Sequence, residues 1–279
     1  MINLYFMLYL LRFHNLIIAG GAVLISSFLI DVSYSNHLVH QSVIVTTLML
    51  ALANIMNNFL DTRADTINKP HRVLLNNLFN KTQLLICATF IIIILFYSIN
   101  FNIFAKIALY LLVVPLIVVY NIYFQKKPLI GNIVVSVLLG AVFLFTELVI
   151  NGGIEKTYVP FCLAFFLTLI REIIKDLHDY SGDKEAKMQT LPIIIGTPKT
   201  NQFLIILIIL SMIVFILPYM FFNYTQEYIY LLIIFIEIPL LYFLFLLVKS
   251  PSKKTYSDIA GTLKLLNIIG LLIIMYTKN

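Results

Sequence analysis

The sequence predicts an all-α polytopic membrane protein of nine transmembrane helices with a cytoplasmic N-terminus. Two compositional observations carry the fold class. Of 279 residues, 61% are hydrophobic and 11% charged, and the mean hydropathy of +0.98 lies far above the roughly half-apolar usage of soluble domains. The apolar residues also fall in runs of about 20, the length that crosses a bilayer. A net charge of +6 is carried by dispersed basic residues, too few in any one place to build a nucleic-acid groove, so that class is excluded. Cys87 and Cys162 lie inside apolar runs and read as small buried hydrophobes.

In chain order the expected spans are 13–30, 40–58, 83–99, 104–122, 131–150, 157–175, 203–222, 228–248 and 258–276. Met1–Leu11 has no basic start and no small-residue cleavage site, so it reads as an interfacial lead-in and not a signal peptide. With the N-terminus inside, 15 of the 19 Lys and Arg residues fall on cytoplasmic edges and 3 on the opposite edges, which sets the orientation by the positive-inside rule. Lys264 falls within the ninth span, where its long stem can snorkel. The outer connections are short, whereas two inner ones, 59–82 and 176–202, are long enough to carry function. The whole of 1–279 reads as one integral-membrane domain.

Five of the seven aspartates lie in two places, both at inner helix ends. Asn57, Asp61 and Asp65 span about 80° of one helix face, and Asp176, Asp179 and Asp183 fall within about 60° of another. A helix C-terminus already carries partial negative charge, and neighbouring carboxylates near lipid oppose one another's ionisation. A hard divalent cation resolves both conflicts. Mg²⁺ takes one or two carboxylates and completes its shell with water and substrate phosphate. Zinc is disfavoured because no Cys or His set accompanies the carboxylates, and His178 is expected off the aspartate face. Arg63, Lys69, Arg72, Lys126, Lys127, Arg171 and Lys175 interleave with the acids, so the two stripes together describe a diphosphate site beneath an apolar bundle.

These motifs resemble the UbiA superfamily of intramembrane prenyltransferases. The first is similar to Asn-Asp-x-x-Asp-x-x-x-Asp, with Asn58 in the place of the usual second-position Asp. It is followed by Ile67-Asn68-Lys69-Pro70-His71-Arg72, with Lys69 where Arg is usual. The second, Arg171-Glu172-Ile173-Ile174-Lys175-Asp176 through Asp179, Asp183 and Thr190-Leu191-Pro192, resembles most the phospholipid-synthesising branch. Arg12-Phe13-His14-Asn15 and the Tyr120–Lys127 segment match lesser family signatures. The two aspartate motifs also suggest a repeated helical module.

The resemblance implies a nine-helix UbiA-type bundle that transfers a geranylgeranyl group from its diphosphate to a lipid acceptor, geranylgeranylglyceryl phosphate. It implies Mg²⁺ as cofactor, held by Asn57, Asn58, Asp61, Asp65, Asp176, Asp179 and Asp183. Asp61, Asp65, Asp176, Asp179, Lys175 and Tyr120 are the implied catalytic set. Arg12, Asn15, Asn68, Lys69, Arg72, Lys126, Lys127 and Arg171 are the implied substrate contacts, with Arg12, Lys126 and Lys127 on inner edges where they can serve the acceptor's own phosphate. An aromatic acceptor of quinone, tocopherol or chlorophyll type and a terpene cyclase share the same motifs. No nucleic acid or obligate protein partner is expected, and membrane lipids surround the chain. A transporter is the rival outside enzymes, since Glu147 and Glu237 sit within apolar runs. Glu237 is expected to be a hydrogen-bonded carboxyl at a helix kink before Pro239.

Overall fold

The computed structural model describes residues 11–60, 80–222, 224–249 and 251–277, with side chains for all of these except 59–60, 80–84 and 126. Every ordered element among the described residues is helical. In chain order they are α1 Phe13–Leu29, α2 His37–Leu60, α3 Asn80–Tyr97, α4 Ile103–Ile122, α5 Ile130–Asn151, α6 Tyr158–His178, α7 Tyr180–Glu185, α8 Leu191–Ile195, α9 Thr197–Phe221, α10 Gln226–Lys249 and α11 Lys253–Tyr276. All nine expected stretches are thus helical. The expected 176–202 loop also contains α7 and α8.

Six helices among the described residues are long and apolar enough to cross a membrane: α2, α4, α5, α9, α10 and α11. Two of the other long helices fall short for separate reasons: α1 has 17 residues, and α6 carries Arg171, Glu172, Lys175 and Asp176 in its last two turns. The described side chains of α3 begin at Leu85 and form an apolar stretch to Asn100. The protein is an integral membrane protein, and its exposed side chains agree: Leu111 and Ile206 are about two-thirds exposed, at 67% and 66%. Such surface is a liability in water and is solvent-matched in lipid.

The chain divides into two compact units, one of Met1–Gln125 with Val142–Thr157, the other of Lys126–Ala141 with Tyr158–Asn279. Each unit carries one aspartate motif. In the first, α2 packs against α1, α3 and α4. Asn102 accepts from the Ala105 amide to cap α4, and its own amide donates to the carbonyls of Leu148 (2.6 Å) and Val149 (3.0 Å) at the end of α5. Gly152, at φ 75°, then turns the chain out of that helix, a conformation that favours glycine. The buried Glu147 accepts from the backbone amides of Lys156 and Thr157 and from the Thr157 hydroxyl at 2.7 Å. A carboxyl that closes its own loop is not a transport relay.

In the second unit α6 and α11 form the most extensive helix pair. Gly270 lets them approach, since a Cβ there would come within 2.6 Å of Leu163 Cδ1. Small residues at such crossings are how helices pack when lipid offers no hydrophobic drive. The first half of α5 meets α6 similarly, with Gly140 beside the Phe161 ring and carbonyl.

Two helices contain a π-helical turn, Ala108–Val113 in α4 and Ile233–Glu237 in α10. Each precedes a proline by two residues or fewer, Pro115 and Pro239. Proline removes one amide donor and its ring crowds the carbonyl four residues back, here Leu111 or Phe235, which loosens the ladder into longer-range bonding. The expected irregularity at Glu237 is therefore present. The expected hydrogen bond is not seen: Glu237 is 5% exposed and neither carboxyl oxygen has a partner among the described residues, because its neighbours in the turn, Ile233 to Ile236, are aliphatic and aromatic.

Gly270→Leu is expected to overpack the α6–α11 crossing by about 1–3 kcal/mol. A thermal melt of the detergent-solubilised protein should show the loss, and Leu163→Ala in the same chain should recover part of it.

Candidate prenyl diphosphate site

In the first unit the polar residues at the start of α1 meet those near the end of α2. Arg12 Nη2 donates to Asn57 Oδ1 at 2.6 Å, and Asn54 Nδ2 donates to the Leu11 carbonyl at 2.9 Å. Arg12 sits at φ 52° and its carbonyl receives the Asn15 amide, so the backbone turn that begins α1 also aims the guanidinium. Asn57 therefore already shares its amide oxygen with Arg12, while Asn58 is buried at 5% exposure. Tyr120 lies half-buried near the end of α4. Asp61, Asp65, Asn68, Lys69 and Arg72 lie outside the described residues, as does the Lys126 side chain. Lys127 is half-buried at the start of the second unit.

The second motif is seen in full. Glu172, quoted in the sequence motif and given no role there, joins the two expected cations: its Oε1 accepts from Arg171 Nη1 and its Oε2 from Lys175 Nζ, both at 2.7 Å. Asp176 Oδ2 accepts from Asn132 Nδ2 of α5 at 2.9 Å. A contact across 44 residues leaves no local mark in a sequence.

The expected single stripe of three aspartates needs correction. α6 ends at His178, and Asp179 leaves the helical conformation at φ −89°, ψ 5° before α7 begins. The 100° step per residue does not carry across that junction. His178, expected off the aspartate face, instead places Nδ1 2.7 Å from Asp179 Oδ1. Asp183 is buried, its amide bonded to the Asp179 carbonyl, and its charge reaches Asp176.

Asp176 is in the last turn of α6, past the apolar stretch. Burial is the main cause that pushes its carboxyl up to about 7; the Asn132 hydrogen bond opposes that rise, Glu172 and Asp183 add to it, and Lys175 opposes it. Such a group has too little positive charge around it to stay ionised comfortably near neutrality. A hard cation bound beside it would supply the missing positive charge and favour the ionised carboxylate as its oxygen ligand. Among the described residues no three His, Cys, Asp or Glu side chains group as a metal cluster, so the second motif by itself does not complete a coordination shell. The donor chemistry fits Mg²⁺ with further oxygens supplied from elsewhere.

A cavity of about 100 Å³, lined by residues that include Cys162, Leu163, Phe215, Pro218 and Tyr228, opens near the start of α6. Its α6 wall at Cys162 and Leu163 is about 20 Å along the helix from Asp176 at 1.5 Å per residue, and the apolar lining offers nothing to a diphosphate.

Apolar helices whose cations and carboxylates gather at one helix end are built for a substrate with a lipid tail and a charged head. The comparisons define the class: the chain belongs to the UbiA prenyltransferase family, whose pattern matches residues 15–268. Among its relatives, the digeranylgeranylglyceryl phosphate synthase of Methanocaldococcus jannaschii is 32% identical over 277 residues, covering 94% of this chain and 92% of that one. The enzyme of the same name from Methanosphaera stadtmanae is 30% identical over 272 residues, covering 95% and 94%. A solved structure of a digeranylgeranylglyceryl phosphate synthase superposes with a TM-score of 0.79 at 28% identity, covering 100% of this chain and 99% of that chain. A UbiA homolog from Archaeoglobus fulgidus bound to GPP and Mg²⁺ shares the fold, with a TM-score of 0.66 at 16% identity over 96% and 99% of the two chains.

Asn132→Ala frees Asp176 from the bond that orients it. Turnover is expected to fall about ten- to a hundredfold, the range for partners that hold a functional ligand in place. A radiolabelled prenyl-transfer assay beside a thermal melt separates this from unfolding, since the melt should move little.

Proposed function

We propose that this protein transfers a geranylgeranyl group from geranylgeranyl diphosphate to geranylgeranylglyceryl phosphate in membrane lipid synthesis. The observation that carries the reading is the likeness, over nearly the full chain, to proteins named digeranylgeranylglyceryl phosphate synthase. The described geometry of the second motif supports it.

In this reading the chain works as one domain of nine spans in the cell membrane. Its N-terminus and reacting site face the cytoplasm, as the distribution of Lys and Arg favours. Asn57, Asn58, Asp61, Asp65, Asp176, Asp179 and Asp183 supply oxygen donors for Mg²⁺, which when bound offsets the charge of the diphosphate. Asn68, Lys69, Arg72 and Lys175 face the phosphate oxygens, while Arg12, Asn15, Lys126, Lys127 and Arg171 meet the head of the acceptor. Positive charge held in place is worth most where negative charge develops, on the departing diphosphate. The carbon–oxygen bond to diphosphate breaks, the allylic cation left behind is stabilised by aromatic faces such as that of Tyr120, and the glyceryl hydroxyl forms the ether with loss of its proton. Asn132 and Glu172 keep Asp176, Arg171 and Lys175 in fixed positions through those steps.

Asp61→Ala, Asp65→Ala, Asp176→Ala and Asp179→Ala are each expected to lower turnover by about a hundredfold or more, and excess EDTA to abolish it until Mg²⁺ is restored. Near wild-type activity in two of the four variants would move the site elsewhere. Prenylation of 4-hydroxybenzoate or homogentisate with the glyceryl phosphate left untouched would overturn the acceptor. Cysteines introduced near Asp65 and Asp183 are expected to label from the cytoplasmic side, and those near Gly152 from the other; the reverse would invert the topology.

A further inference from the structure

The seam between α6 and α11 carries more positive charge than the mechanism above uses. Leu163 against Gly270 and Thr168 against Asn267, the latter at 3.4 Å, fix an antiparallel register. One turn further along each helix, Arg171 and Lys264 come opposite one another, and their charges lie within mutual electrostatic reach. Glu172 is already bonded to Arg171 and Lys175, and Lys264 has no hydrogen-bond or ion-pair partner among the described residues. Arg171 Nε is buried with no acceptor, and Asn267 Oδ1, one turn from Lys264, is buried with no donor.

Two cations facing each other at a helix seam are unfavourable near lipid unless an anion joins them. A guanidinium fork beside a lysine ammonium suits a phosphate monoester, which takes directed bonds from the first and a point charge from the second. An unpartnered amide oxygen one turn away suits a hydroxyl. A head group with a phosphate and a hydroxyl a few bonds apart satisfies all three.

We propose that Arg171, Lys264 and Asn267 form the subsite for the head group of the acceptor, Lys264 and Arg171 binding its phosphate and Asn267 its glyceryl hydroxyl. This rests on the glyceryl phosphate reading above and adds Lys264 to the basic residues that reading assigns. It also gives Lys264 a role other than snorkelling.

The test uses the full chain in liposomes, as wild type, Lys264→Met and Lys264→Arg. Apparent KM is measured separately for geranylgeranylglyceryl phosphate and for geranylgeranyl diphosphate. Lys264→Met is expected to raise the acceptor KM about ten- to a hundredfold, as for loss of a charged hydrogen bond, with the diphosphate KM and kcat near wild type; Lys264→Arg should restore most of the loss. A second readout needs no turnover: the acceptor alone should raise the melting temperature of wild type and of Lys264→Arg, and not of Lys264→Met. A rise in the diphosphate KM instead, or no change in either, overturns the subsite. If Lys264→Met does not assemble, a Lys264→Arg protein that the acceptor fails to stabilise overturns it equally. Wild type that prenylates only uncharged or aromatic acceptors brings down the underlying reading as well, whereas wild type that uses the glyceryl phosphate with Lys264→Met unaffected brings down the subsite alone.

Discussion

An ionised side chain beside hydrocarbon needs a partner, and most of what is distinctive in this protein follows from how that need is met. Glu147 meets it by folding a loop onto itself. Glu172 meets it by holding two cations at once. Asp176 meets it only in part, with one amide and one nearby lysine set against two carboxylates and burial. Of the carboxylates gathered at the end of α6, the partly compensated Asp176 is the one at which an incoming cation gains most.

The helices were legible because a bilayer imposes one length on apolar segments, and all nine expected stretches are helical. What the pattern of apolar residues could not show was where a helix stops. The aspartates at 176, 179 and 183 look like one stripe only while the chain between them is taken as a single helix; the break at Asp179 redirects that residue to His178. Asn132 was invisible for a different reason: its contact with Asp176 depends on how α5 crosses α6, and crossings are set by packing at places such as Gly140. The Asp61 and Asp65 motif remains a sequence reading, since those residues lie outside the described ones.

Glu237 shows the opposite failure. Its neighbourhood was read correctly as irregular, from the proline two residues on, yet the hydrogen bond expected to accompany it is not seen among the described residues. A π turn displaces one residue of the ladder without bringing a polar group to the side chain that happens to sit there. Irregular backbone and a satisfied side chain are separate properties, and only the first is written in the position of a proline.

Asn102 has a consequence for how the chain is made. Its oxygen serves the amide of Ala105, three residues away, but its nitrogen serves carbonyls at Leu148 and Val149. During synthesis those acceptors emerge only after all of α4 and nearly all of α5 have been added. Until then the amide nitrogen must find water or another carbonyl. The bond therefore cannot guide the entry of α4 into the membrane; it locks the start of that helix to the end of the next one after both have arrived.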